Sequence, residues 1–251
     1  LEAGNLAFLL VKQIEKELNI KPVVLNPGDL YQIFSSLKKT DKEDCLKIAR
    51  LLKRNPIEEL PIVRIPDAFE EKARFLISEQ GYWTKMKVKA MNRLHSLFVN
   101  AGITTVTKKD IKNKSVKKDQ FESLNEYTKE SANRLLESII FSENSLKEIE
   151  KKIKILIREK KEKAEIILSV DGIGIITCLA ILGYIGDGSR FSKARQVSYF
   201  TGLVPRVDQS GQKSKECKII KRGCVQLKRT MIQCAWALVK SSRDSDLKTK
   251  F

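Results

Sequence analysis

Apolar residues recur at helical spacing through most of the chain, and the interruptions divide it into three stretches. In residues 5–18, Leu6, Leu9, Leu10, Ile14 and Leu18 form an i, i+3, i+4 stripe, which predicts an amphipathic helix packed on a sheet. Lys21 to Asn26, KPVVLN, is a short β-branched run closed by Pro27-Gly28 and reads as a buried strand with its turn. A second helix is expected over about 29–37, and another from Asp41 through CLKIARLLKR, with Thr40 and Glu43 spaced as a capping box. Helix, strand and helix in this order predict an α/β layer.

From Pro61 the pattern changes. LPIVRIPDAFEE leads into one long helix, about Asp67 to Asn100, with Gly102 as its cap. A lysine-rich stretch, TKKDIKNKSVKKD, reads as a linker before a helical region over about 120–163. There Ile139, Ser142, Leu146, Ile149, Ile153 and Leu156 alternate spacings of three and four, a coiled-coil seam whose partner is either the 67–100 helix or a second chain. The last stretch begins with IILSVDGIGIIT, two apolar helical segments around a Gly-x-Gly turn. It continues through a helix near 192–200 and a loop around Ser210 to a final helix over about 225–241. The expected organisation is thus α/β for 1–60, helical and coiled-coil for 61–163, and mostly α for 164–251.

Charge narrows the partner. Among 251 residues, 48 Lys and Arg against 31 Asp and Glu leave a net charge of +17, spread along the whole length, so a polyanion is favoured and nucleic acid is the first candidate. No apolar run approaches the length of a membrane span, and no signal-peptide pattern opens the sequence. Cys45, Cys178, Cys217, Cys224 and Cys234 form no C-x-x-C pair and His95 is the sole histidine, which argues against structural zinc and for reduced thiols in a cytoplasmic protein.

Three places carry candidate chemistry. The first is Tyr199 to Arg222, where Ser210-Gly211 sits among Arg206, Lys213, Lys215, Lys218, Lys221 and Arg222; it reads either as a phosphate-handling loop or as a solvated basic loop. The second is Asp41 with Asp44, which share one face of a helix. They serve either as its acidic first turn or as ligands of a divalent ion completed by another acid, for which Glu2 is a candidate. The third is Gly172 and Gly174. Their turn is either a tight structural bend or a helix-hairpin-helix that offers backbone N–H groups to a DNA phosphate.

Taken in order, GLVPRVDQSG, DGIG with GYIGDGSRF, and KIIKRG closely resemble the C-terminal domain of the DEDD-type serine transposases of bacterial insertion sequences, the insertion-sequence 110 family. LEAGN, VVLNPG and KKTDKEDCLKIARLL resemble the second half of that family's RuvC-like (RNase H-like) nuclease domain. The resemblance implies a recombinase that cuts and rejoins DNA. Ser210 would be its nucleophile, Glu2, Asp41 and Asp44 would be three of four acidic Mg²⁺ ligands, and the acids and the serine would meet across protomers of a dimer or tetramer. Some members of the family are guided by an RNA. The family's first acid lies upstream of LEAGN, where this sequence has no residue, so the 251-residue form is expected to bind nucleic acid and cleave poorly. A non-catalytic nucleic-acid-binding protein is the alternative.

Overall fold

The computed structural model describes residues 1–4, 6–27, 40–205, 208–210, 213–215, 219–220 and 223–241; at 41, 208–210 and 213–215 it describes the backbone alone. The chain forms two compact units, Leu1–Asp67 and Ala68–Phe251.

In the first unit, α1 (Ala7–Leu18) and α2 (Asp41–Arg54) accompany three extended pieces. Leu25 holds the middle one, bridging Glu2 in parallel on one side and Ile62 in antiparallel on the other. Ala3 N–H donates to the Leu25 carbonyl at 2.9 Å, and Val63 N–H donates to that of Val24 at 2.7 Å. The strand expected over 21–26 therefore exists as isolated bridges, not as a continuous ladder. Its two-residue period still sorts the packing. Val24 faces Ala7 and Val11 of α1, while its neighbour Leu25 faces Leu60 and, from α2, Ile48 and Leu51. A helix thus lies on each face of this short extended layer, while the described residues as a whole are mostly helical.

The face used by α1 differs from the expected one. It packs through Ala7 and Val11, whereas Leu6, Leu9 and Leu18 are 63%, 54% and 62% exposed. Small residues one turn apart let the helix axis approach the extended layer more closely than a leucine stripe would. The helix expected over 29–37 lies outside the described residues.

The second unit is built on an antiparallel pair, α3 (Ala68–Asn100) and α6 (Glu126–Ile157). The predicted seam turns inward within the chain: Ile139, Ser142, Ile149, Ile153 and Leu156 are buried. Ser142 satisfies its hydroxyl by donating to the Ser138 carbonyl at 2.7 Å, so its burial leaves no orphan donor. Gly102, at φ +80°, ends α3 by letting Ile103 N–H reach back to the Phe98 carbonyl.

The lysine-rich stretch is structured, contrary to its reading as a linker. Lys108–Asn113 (α4) and Lys118–Glu122 (α5) are helices, and Ile111 and Leu124 join Leu94, Phe98 and Ala132 in closing the far end of the pair. Thr107 starts α4 with a reciprocal capping box, accepting from Asp110 N–H while Asp110 accepts from Thr107 N–H. Composition concealed this, because the lysines sit on the solvent side and only Ile111 and Val116 mark the buried side.

At the other end, α8 (Ile175–Tyr184) returns against α3, α7 (Lys161–Leu168) packs on α8, and α10 (Val225–Lys240) packs alongside both α8 and α3. The most apolar of these helices, α8, buries Cys178, Leu179, Ala180 and Leu182 in one cluster with Ala73, Ile77 and Ile153. Gly183 is where α8 crosses α3: a Cβ there would stand 2.8 Å from Ala73 Cβ. Its carbonyl accepts from Arg74 Nε at 2.7 Å, and the Arg74 guanidinium covers the Tyr184 ring at 5.2 Å. Between α8 and α10 lie α9 (Ala194–Thr201) and a narrow ribbon, β1 (Asp208–Ser210) with β2 (Lys213–Lys215).

Candidate nucleic-acid interface

Ser210 ends β1, and the antiparallel register sets it opposite Lys213, with Gln209 opposite Ser214 and Asp208 opposite Lys215. The serine thus stands at the tip of the ribbon, beside a lysine position. Lower down, Pro205 bridges Ile219 and Ile220 N–H donates to the Val204 carbonyl at 3.1 Å, which closes the ribbon's root on α9 and α10. The Lys228 ammonium, in the first turn of α10, donates to the Ile220 carbonyl at 2.9 Å and fastens the return strand. Arg206, Lys218, Lys221 and Arg222 lie outside the described residues, and the side chains of Ser210, Lys213 and Lys215 do as well.

The Gly-x-Gly turn is a tight connection between α7 and α8, and its two glycines have different reasons to be there. Gly172 has φ +83°, and a Cβ on it would lie 2.9 Å from the Cys234 carbonyl and 3.2 Å from Leu238 Cβ, both on α10. Helix packing alone demands glycine at that position. Gly174 is the N-cap of α8, in extended backbone at φ −99°, and a Cβ there would meet nothing within 4 Å. No side chain caps α8, so its first amides have no side-chain acceptor at an end where the helix dipole favours an anion. Of the two, Gly174 is the one whose surroundings leave room for a ligand.

The acids belong to the other unit. Glu2 is exposed on the extended piece beside Leu25. Asp41 is the first residue of α2, which begins with Glu43 N–H donating to Thr40 Oγ1 at 3.3 Å; its side chain lies outside the described residues. Asp44 follows on the same helix. Its Oδ1 is buried and accepts no hydrogen bond, with Lys47 Nζ 3.6 Å away. Among the described residues no three carboxylate, imidazole or thiol groups converge as a metal site. Two of the described thiols are held away from their reactive form: burial pushes Cys178 up to about 11, and desolvation raises Cys224 as well.

One part of this surface carries no sequence motif. Lys193 at the N-cap of α9, with Arg195 and Tyr199 within it, lines a cleft of about 650 Å³ whose other wall is Val204, Pro205 and Ile220 at the ribbon's root. The spacing, two cations and an aromatic on one short helix, is visible in the sequence. Only the fold sets it against the ribbon.

The unit thus brings together a serine on a ribbon, a helix start without a side-chain cap and a cleft flanked by cations. Residues 164–250 match the family model described as Transposase IS116/IS110/IS902 family. The chain is 30% identical over 149 residues to the transposase for insertion sequence element IS1328 of Yersinia enterocolitica, an alignment covering 59% of this chain and 44% of the relative. It is 32% identical over 108 residues to the transposase for insertion sequence element IS1111A of Coxiella burnetii, covering 43% and 29%. To the pilin gene-inverting protein of Moraxella bovis it is 26% identical over 198 residues, covering 76% and 51%. The chain thus spans about half the length of these relatives, or less. Among the described residues no helix is long and apolar enough to cross a membrane.

Proposed function

We propose that this chain acts in the transposition of an insertion sequence, breaking and rejoining DNA through Ser210. The observation that carries the reading is the match of residues 164–250 to a transposase family, in a segment whose ribbon ends on Ser210 with Lys213 opposite. The Ser210 hydroxyl would attack a phosphodiester phosphorus, forming a P–Oγ bond as one ester P–O bond breaks. The serine proton passes to solvent, the departing oxygen takes one up, and the reverse exchange rejoins the strand. Lysines of the ribbon would offset the phosphate charge. The uncapped amides of α8 beside Gly174 would hold the DNA backbone in the manner of a helix-hairpin-helix.

Glu2, Asp41 and Asp44 are the residues that would hold Mg²⁺, on a unit read as the RuvC-like portion. A set of carboxylate oxygens suits this hard cation, and Asp44 Oδ1, buried with no hydrogen bond to accept, has a lone pair to give. Bound there, the ion would supply activation of the attacking oxygen and stabilisation of the leaving one. An oligomer that brings acids and serine together across protomers, and a guide RNA, belong to the same reading.

The test is covalent capture of an end-labelled DNA carrying the element's terminus, in the full-length protein with Mg²⁺. The unaltered protein should yield a denaturant-resistant adduct, and Ser210→Ala should abolish it while DNA binding changes less than about threefold. An adduct that persists in Ser210→Ala moves the nucleophile to Ser214 or another residue. Salt-sensitive binding without any adduct in the unaltered protein would instead favour the non-catalytic nucleic-acid-binding alternative.

A further inference from the structure

The cleft between α9 and the root of the ribbon has walls of two kinds. Val204, Pro205 and Ile220 make an apolar side, and Tyr199, 62% exposed, presents a ring across from it. Lys193 at the N-cap and Arg195 within the helix are both exposed, and among the described residues no acidic side chain lines the cleft. Gln196 is already committed: its side-chain oxygen accepts from Ser192 N–H at 2.8 Å and Lys193 N–H at 3.4 Å, which fixes the start of α9. The start of α9 is thereby held, which sets the backbone positions from which the tyrosine and the two cations project. At about 650 Å³ the cleft lies within the range of small-ligand pockets.

A slot with an aromatic face, an apolar wall and cations at its rim fits a flat heterocycle tethered to a phosphate. A paired base cannot enter, because its faces are covered by its neighbours in the stack. We propose that this cleft receives one unpaired DNA nucleotide, its base stacked on Tyr199 and its phosphate held by Lys193 and Arg195. Ser210 is five residues beyond Pro205, a reach of at most about 18 Å of extended chain. The cleft would therefore hold a base displaced from the duplex close to the phosphodiester that the serine attacks. This rests on the transposase reading and adds to it a requirement for local unpairing of the DNA.

The test compares two short labelled DNA duplexes, identical except that one carries a single unpaired 2-aminopurine, by anisotropy and by 2-aminopurine fluorescence. The protein should prefer the duplex with the unpaired base and quench that base. Tyr199→Ala should lose the quenching and raise Kd for that duplex about tenfold, leaving the paired duplex nearly unchanged, while Tyr199→Trp should keep both signals. Arg195→Gln should weaken the duplex with the unpaired base more than the paired one and lower the salt slope for that duplex by about one unit. Unchanged preference in Tyr199→Ala, with DNA still bound, would overturn the cleft assignment alone. The same assignment fails if an RNA duplex with the same unpaired base is bound more tightly. Absence of binding to any DNA at low salt would overturn the assignment and the transposase reading together.

Discussion

Gly172→Ala separates folding from ligand binding at the Gly-x-Gly turn. Two costs add at Gly172. Holding an L-residue at φ +83° costs about 1 kcal/mol relative to glycine. The new methyl would also stand 2.9 Å from the Cys234 carbonyl and 3.2 Å from Leu238 Cβ. That carbonyl belongs to the backbone of α10 and cannot rotate aside, so the turn and helix must separate, at about 1–3 kcal/mol for overpacking of this kind. The expected loss is about 2–4 kcal/mol, or a fall of about 5–15 °C in the Tm of a unit this size. Gly174→Ala is the matched control. Its backbone is already extended and its Cβ would meet open space, so the cost should be only that of alanine for glycine at an N-cap, about 0.5–1 kcal/mol. Urea denaturation followed by circular dichroism, without nucleic acid, reads both. Equal stabilities of the two variants would refute the packing argument. In DNA binding the order should reverse once both proteins are folded, because the Gly174 methyl occupies open space at the N-terminus of α8, whereas the Gly172 methyl faces α10.

Glu143 should show a pH signature. Burial pushes its carboxyl up, but hydrogen bonds from Lys114 and Lys87, each 3.0 Å away, outweigh this and hold it below its ordinary value of 4.5. A carboxyl lowered in the folded state adds stability above its unfolded value, and that stability is lost as pH falls through the folded value. Glu143→Gln should therefore cost about 1 kcal/mol at pH 7 and nothing measurable near pH 2–3 in paired denaturation curves; a cost that persists in acid would contradict this account. Iodoacetamide near pH 8 should alkylate exposed Cys45 well before Cys178, whose buried thiol titrates near 11. Peptide mapping that found the two modified at one rate would contradict the burial of α8.

Legibility in the sequence followed the range of the interaction that decides each feature. The long helices were legible because their apolar period repeats over many turns, and the seam from Ile139 to Leu156 named its buried residues, Leu146 being the partly buried one. Which helix would cover that seam was not legible. The choice depended on residues 101–125, whose lysines hide the short helices that fold α6 back on α3. At α1 the stripe of large residues was the wrong guide. Residue size ranks transfer energy, whereas contact with an extended layer is set by how closely two backbones approach, and that favours Ala7 with Val11.

The candidate site divides in the same way. Ser210, Gly174 and the acids are visible because each is unusual in its local run. The Lys193, Arg195 and Tyr199 platform is ordinary as sequence and becomes a candidate only where the ribbon returns at Val204, Pro205 and Ile220 to give it a second wall. Gly172 and Gly174 look alike in the motif, yet one is required by α10, more than sixty residues further on, and the other by nothing the chain itself supplies. A glycine with no packing reason beside uncapped amides is the stronger of the two claims to a ligand.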